Sequence, residues 1–331
     1  MAAHDLDAAP VADATQRLAI PVIDLREPHA RVVEEIAAAC AAWGFFQIVG
    51  HGVDPALIER ATSETRRFFA APKAQKRSLA RSRENPWGFY DRELTKNARD
   101  KKEVFDIGPE PGAASAEGPF SGATPWPAWQ PGFEPAMRAF YAACVETSAR
   151  LIRIVSEGLG ASASGLDAAF GAAHTSFLRL NFYPVEDPLA GEAADAADLG
   201  IHHHTDAGGL TVLLQDDVLG LQVYRDGLWH IVQPLAGAFV INIGDMVQVW
   251  SNDRYRAPVH RVLAMDRAER RSLPFFYNPA YSTMVAPLAA LVGEASPARY
   301  APFSWGEFRR KRADGDFANY GAEVQISDYR V

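Results

Sequence analysis

The alternation of apolar and polar positions changes character along the chain. Between residues 20 and 108, short apolar runs are separated by stretches with a 3.6-residue period. Residues 21–25 read as a strand, 31–43 as an Ala-rich helix and 45–49 as a buried strand. Asp54 followed by Pro55 opens a second helix, with Leu57, Ile58, Ala61, Phe68 and Phe69 on one side. Six prolines and several glycines in 109–133 break all periodicity, which predicts a long surface connection acting as linker or lid. Helical spacing returns over 134–159, where Met137, Phe140, Tyr141, Cys144, Leu151 and Ile152 form the stripe that packs on a sheet.

From residue 176 to residue 285 the period becomes two. The runs 178–183, 210–215, 221–224, 228–232, 239–243, 246–250, 261–265 and 273–277 are short, β-rich and separated by Gly, Pro, Asn or Asp. Eight strands at such spacing indicate a sandwich or jelly roll. Ser304-Trp305-Gly306-Glu307 is a capping box that opens a final helix. The fold expected is α+β: a double-stranded β-helix (jelly-roll) core over 174–285 with N-terminal and supporting helices. A helix-rich part (19–160) precedes the core and a helix and tail (286–331) follow it. Together these make one domain (19–331) behind a disordered arm (1–18).

Composition narrows the function. Hydrophobic residues make up 48% and charged residues 22% of 331, the balance of a globular protein with a sizeable core. Lys and Arg total 33 against 41 Asp and Glu, a net charge of −8, so no positive field attracts nucleic acid or an anionic membrane. The expected partner is a small molecule, and the expected state a monomer or weak homo-oligomer. Cys40 and Cys144 lie in helical segments and read as small buried residues, so a reducing compartment suffices. Residues 1–18 carry Asp5, Asp7 and Asp13 without an apolar segment, and no eighteen-residue apolar run occurs. Both facts argue against a signal peptide or membrane span and for a cytoplasmic location.

Within the period-two region lies His202-His203-His204-Thr205-Asp206, where only His204 has a carboxylate two positions on. Residues i and i+2 of an extended segment share a face, so His204 and Asp206 converge on one ion. His260 follows in a second strand-like segment, Pro258-Val259-His260-Arg261-Val262. Two imidazoles and one carboxylate leave three positions open, which suits iron(II) binding oxygen and an organic chelate; structural zinc fills its four positions with protein ligands. Taken singly, the histidines also read as a polar turn and a satisfied core residue. By parity, His203 points away from His204 while His202 shares its face and becomes a candidate for a supporting or substrate role.

The segments 204–216 and 251–262 resemble the iron-binding stretches of the isopenicillin N synthase-like, 2-oxoglutarate-dependent dioxygenases. So do Ile20-Pro21-Val22-Ile23-Asp24-Leu25 and Trp43-Gly44-Phe45-Phe46-Gln47, and the similarity covers nearly the whole chain after residue 18. The resemblance implies that His204, Asp206 and His260 are the iron ligands, and that the cosubstrates are 2-oxoglutarate and O2. It further implies that a small metabolite is hydroxylated, desaturated or cyclised with release of succinate and CO2. An oxidase that does not use 2-oxoglutarate, and a non-catalytic jelly-roll binding protein, are the competing readings.

Arg270 and Ser272 share a strand face, where a guanidinium fork and a hydroxyl both reach one carboxylate. Arg179, Asn181 and Tyr183 alternate in the same manner with Leu178, Leu180 and Phe182, which puts three polar groups on an interior face. By resemblance, Arg270 and Ser272 hold the distal carboxylate of 2-oxoglutarate, with Tyr183 and Asn181 beside it. Candidate substrate contacts are Arg179, Phe89, Arg92, Phe275 and Tyr277. For Arg179 the competing reading is an internal salt bridge, and for the aromatic residues plain core packing.

Overall fold

The computed structural model describes residues 6, 9–13, 18–82, 84–95, 98–110, 122–192, 198–317 and 324–331, without the side chains of 313–317. Strand β1 (Val22–Asp24) leads into helix α1 (His29–Ala42), whose buried residues Val32, Ile36, Ala39 and Cys40 form one helical stripe, and then into β2 (Phe45–Val49). Gly44 joins them at φ +62°. A Cβ there would lie 2.4 Å from the Arg256 carbonyl oxygen, so the turn accepts glycine only. Helix α2 (Pro55–Phe69) starts where the Asp54 side chain accepts from the Ala56 N–H at 2.8 Å. The short helix α3 (Lys73–Arg77) and strands β3 (Gly88–Tyr90), β4 (Leu94–Thr95), β5 (Ala98–Arg99) and β6 (Glu103–Ile107) follow. The long helix α4 (Phe133–Gly158) comes next. Part of the Pro-rich connection before α4, with its proposed lid role, lies outside the described residues.

Strands β7 (Phe177–Tyr183), β8 (Leu199–His204), β9 (Leu210–Gln215) and β10 (Leu221–Arg225) begin the core. It is completed by β11 (Leu228–Ile231), β12 (Phe239–Ile243), β13 (His260–Leu263) and β14 (Arg270–Tyr277). The larger sheet runs β1-β2-β12-β9-β14-β7-β6-β3 and the smaller β11-β10-β13-β8. Phe45, Tyr183, Leu213 and Val240 of the larger sheet cluster with Leu221, Val223 and Val262 of the smaller, so the sheets face each other across an apolar layer. Leu178, Leu180, Val212, Ile241 and Phe275, on the other face of the larger sheet, join the core formed with α1 and α4. This is the jelly-roll arrangement with supporting helices.

One expected strand is a helix. Residues 245–250 form α5 (Asp245–Trp250), in which Met246, Val247, Val249 and Trp250 are all buried and Gln248 alone of the expected run is polar, too little to reveal the period. The first N–H groups of a helix have no partner inside it. Here those of Gly244, Asp245 and Met246 donate to the carbonyls of Gly209, Asp206 and Gly208 at 2.8, 2.8 and 3.0 Å. Helix α6 (Trp305–Phe317) begins where Ser304 Oγ accepts from the Glu307 N–H at 3.4 Å.

The N-terminal arm, expected to be without structure, contributes a strip that docks on β11. The Ala12 N–H donates to the Trp229 carbonyl and the Trp229 N–H to the Pro10 carbonyl, both at 2.9 Å, while the Trp229 indole N–H donates to the Leu6 carbonyl at 3.0 Å. Residues 1–5, 7–8 and 14–17 of the arm lie outside the described residues. Among the described residues no helix is long and apolar enough to cross a membrane. Cys40 and Cys144 are buried free thiols, and burial pushes both well above the usual thiol range.

Candidate metal and cosubstrate site

Strand β8 ends at His204 and β13 begins at His260, and the register sets these two residues opposite each other. Asp206 lies in the turn that α5 holds from behind through its first N–H groups. His204 Nε2 and His260 Nε2 stand 3.6 and 3.7 Å from Asp206 Oδ1. The donor atoms of the three residues all lie within 4.8 Å of one another.

Hydrogen bonds fix the chemistry of each donor. His204 Nδ1–H donates to the His202 carbonyl at 2.7 Å and His260 Nδ1–H to the Pro258 carbonyl at 3.0 Å, so Nε2 is the ring atom each histidine has left to offer a metal. Asp206 Oδ2 accepts from the Asn242 amide at 2.8 Å and from the Thr211 hydroxyl. Burial alone would raise the Asp206 carboxyl, but His260 and His204, then Asn242 and Thr211, outweigh it and keep the group below its ordinary value. Burial, followed by the neighbouring His260 ring, pushes His204 well below the usual imidazole range despite the pull of Asp206. A neutral imidazole and an ionised carboxylate are the forms that ligate a metal.

The metal donors open into a cavity of about 190 Å³. Antiparallel register places Arg270 opposite Tyr183 and Ser272 opposite Asn181, and all four line the cavity. Arg270 is 1% exposed, its Nη2 donates to Gln215 Oε1 at 2.9 Å, and its guanidinium lies 5.1 Å from the Tyr183 ring centre. Among the described residues its Nε and Nη1 find no partner, nor does Asn181 Oδ1, although the Asn181 amide donates to Ser272 Oγ at 3.3 Å. Buried donors without partners are costly unless a ligand meets them.

Several sequence expectations about the far end of the cavity are corrected by the structure. Along β14 the cavity face carries Arg270, Ser272, Pro274 and Phe276, so parity turns Phe275 and Tyr277 to the helix side. There Phe275 meets the Tyr141 ring edge-on at 5.0 Å and Tyr277 stacks on Phe170 at 4.4 Å. Phe89 is likewise buried in the helix-side core, and Arg92 pairs with Glu192 at 3.2 Å, away from the cavity lining. Arg179 does line the cavity, with its guanidinium engaged by Asp106 at 2.7 and 2.8 Å and by Glu93 at 2.9 Å, which is the internal salt-bridge reading.

His202 does not share the face of His204. His204 pairs with His260 while Ile201 pairs with Val262, so three steps on β8 match two on β13. This bulge slips the alternation, and Ile201 rather than His202 joins His204 in lining the cavity. Lining residues not picked out from the sequence include Glu93, Lys102, Phe276, Arg309 and Arg312. The parity of Arg270 and Ser272 was a signal for Phe276, whereas Arg309 and Arg312 sit in a basic run that reads as a solvated helix face.

Comparison with known proteins identifies the family. The model of the 2OG-Fe(II) oxygenase superfamily matches residues 174–279, and that of the non-haem dioxygenase in morphine synthesis N-terminal region matches residues 20–129. Jasmonate-induced oxygenase 2 of Arabidopsis thaliana is 34% identical over 316 residues, covering 90% of this chain and 80% of the relative. Gibberellin 20 oxidase 2 of Oryza sativa subsp. indica is 35% identical over 318 residues, covering 92% and 77%. Among solved structures, that of JOX2 in complex with 2OG, Fe, and JA superposes with a TM-score of 0.79 at 30% identity, covering 100% of this chain and 98% of that one. A putative 2OG-Fe(II) oxygenase family protein from Caulobacter crescentus gives 0.76 at 26% identity, covering 90% and 99%. The chain belongs to the 2-oxoglutarate- and iron(II)-dependent oxygenase superfamily. It is an oxidoreductase of that class, dependent on iron(II), 2-oxoglutarate and O2.

Proposed function

We propose that iron(II) is held by His204 Nε2, Asp206 Oδ1 and His260 Nε2, and that 2-oxoglutarate is anchored by Arg270 and Ser272 with Tyr183 and Asn181 beside them. The reaction is the oxidation, with hydroxylation the default outcome, of a small organic molecule at the opposite end of the cavity. The observation that carries this reading is Arg270: a buried guanidinium with two nitrogens unmet among the described residues, in the same cavity as three converging candidate metal donors. A fixed fork of this kind matches a carboxylate. It also favours a 2-oxoglutarate-using oxygenase over the oxidase reading.

When bound, iron(II) with 2-oxoglutarate and O2 supplies the oxidising power that breaks a substrate C–H bond. The chain does the rest by binding and orientation. Asn242 and Thr211 occupy Asp206 Oδ2 and leave Oδ1 for the metal. Phe45, Ile201, Leu213, Leu221 and Val262 form apolar walls that keep water from the reacting centre. The Asn181 amide donates to Ser272 Oγ, which leaves the Ser272 hydroxyl proton to donate to the bound acid. Phe177, Pro274, Phe276 and Trp305 give the substrate end an apolar surface edged by Arg309 and Arg312. Relatives named for jasmonate and gibberellin fit a substrate of this small, mostly apolar kind.

The test is anaerobic addition of iron(II) and 2-oxoglutarate to the apoprotein. A weak visible charge-transfer band is expected, absent from the Asp206→Ala protein. A wild-type protein that develops no band, or a band that survives loss of Asp206, overturns the assignment.

A further inference from the structure

Three consecutive histidines make the metal strand ambiguous in its own sequence. A slip of one residue in β8 would turn another imidazole inward, because side chains alternate with a period of two. The three imidazoles are alike: Asp206, two positions on, marks His204 as the one to use, but turning that ring inward also requires the register of β8 to be held by its neighbours.

Asp100 is in place to do this. It stands outside the cavity lining, and its side chain is completely buried. Asp100 Oδ1 accepts from the His202 main-chain N–H at 3.1 Å and lies 2.9 Å from His202 Nδ1. Asp100 Oδ2 accepts from the Thr95 hydroxyl at 2.8 Å and pairs with Lys102 Nζ at 3.1 Å, so the carboxylate is itself held on both oxygens. The bulge between His204 and Ile201 disrupts the ladder to β13 at His202, and Asp100 takes the N–H there. The carbonyl of the same residue accepts from His204 Nδ1–H at 2.7 Å. The His202 main chain is thus gripped at its N–H by Asp100 and at its carbonyl by the metal-facing ring.

We propose that Asp100 is a positioning residue for the metal centre: by holding the His202 main chain it fixes the bulge that turns His204 inward and steadies the carbonyl that sets the tautomer of His204. The proposal rests on His204 being a metal ligand. Asp100 acts through His202 and touches neither metal nor substrate.

The test is titration of the apoprotein with cobalt(II), followed through the visible d–d absorption of the bound ion. Replacing Asp100 by Ala is expected to weaken cobalt(II) binding by about tenfold or more and to change the band shape, the scale seen when groups behind metal ligands are removed. Asp100→Asn keeps an acceptor oxygen for the His202 N–H and should return the affinity to within about threefold of wild type. Asp106→Asn loosens the same buried charged cluster, through Arg179 and Arg81, without touching His202; it should leave the affinity within about twofold. Should Asp100→Ala not fold, Asp100→Ser, too short to reach His202, takes its place with the same expected loss. A folded Ala or Ser variant with wild-type affinity and spectrum overturns the proposal, as does an equal loss in Asp106→Asn. Failure of the wild-type protein itself to bind cobalt(II) would instead remove the metal-ligand reading beneath it.

Discussion

The Asn242 amide donates to Asp206 Oδ2 at 2.8 Å, so that only Oδ1 of this carboxylate faces the two imidazoles. Removing it frees the second oxygen and lets the side chain turn. Asn242→Ala is expected to weaken iron(II) binding by about 10- to 100-fold, measured by anaerobic calorimetry. Affinity equal to wild type would show that Thr211 alone orients the carboxylate.

Arg270 Nε and Nη1, buried donors without a partner among the described residues, are the groups proposed to meet one end of the cosubstrate. Arg270→Met should raise the 2-oxoglutarate concentration needed for half-maximal charge-transfer absorbance by about 100-fold, corresponding to one or two charge-assisted hydrogen bonds. Arg270→Lys, which keeps the charge but not the fork, should fall between. An unchanged half-saturation point in the Met variant would place the acid elsewhere.

Neighbouring rings on β14 have opposite duties. Phe275 is fully buried against α4, so Phe275→Ala is expected to cost about 3–5 kcal/mol in urea unfolding and leave 2-oxoglutarate affinity unchanged. Phe276 lines the cavity, and Phe276→Ala should cost less stability while raising KM for the organic substrate. Equal stability losses in both variants would contradict the facing assigned to this strand.

Three converging donors that bind an ion in the native state only should make the fold respond to that ion. Cobalt(II) at about 100 times its Kd is expected to add about 2.7 kcal/mol to the free energy of unfolding. His260→Ala should abolish the shift in urea midpoint. A midpoint indifferent to cobalt(II) in the wild-type chain would mean that the donors do not act as one site.

Period-two patterning carried much of this site in the sequence. It put Arg270 with Ser272, and Arg179 with Asn181 and Tyr183, on common faces, and register then joined those faces. Parity failed where the ladder itself is irregular: the bulge at His202 is invisible in a row of histidines. The strand expected at 246–250 became α5 because a five-residue run that is apolar except for Gln248 reads alike in either geometry; the deciding partners, carbonyls of residues 206–209, come from another segment. Asn242, Thr211 and Asp100 escaped notice for a related reason. Each acts on a metal-site residue distant in sequence or in another strand, and nothing local marks a hydrogen bond that only tertiary pairing creates.

The strip of the N-terminal arm that lies on Trp229 also matters for handling the molecule. β11 ends the smaller sheet, and Pro10 and Ala12 occupy the N–H and carbonyl that Trp229 would otherwise present at its free border. A chain trimmed past residue 12 would bare that border and offer neighbouring molecules a template on which to add a strand. Where an affinity tag or a truncation is placed at this end therefore decides how readily the protein self-associates in concentrated solution.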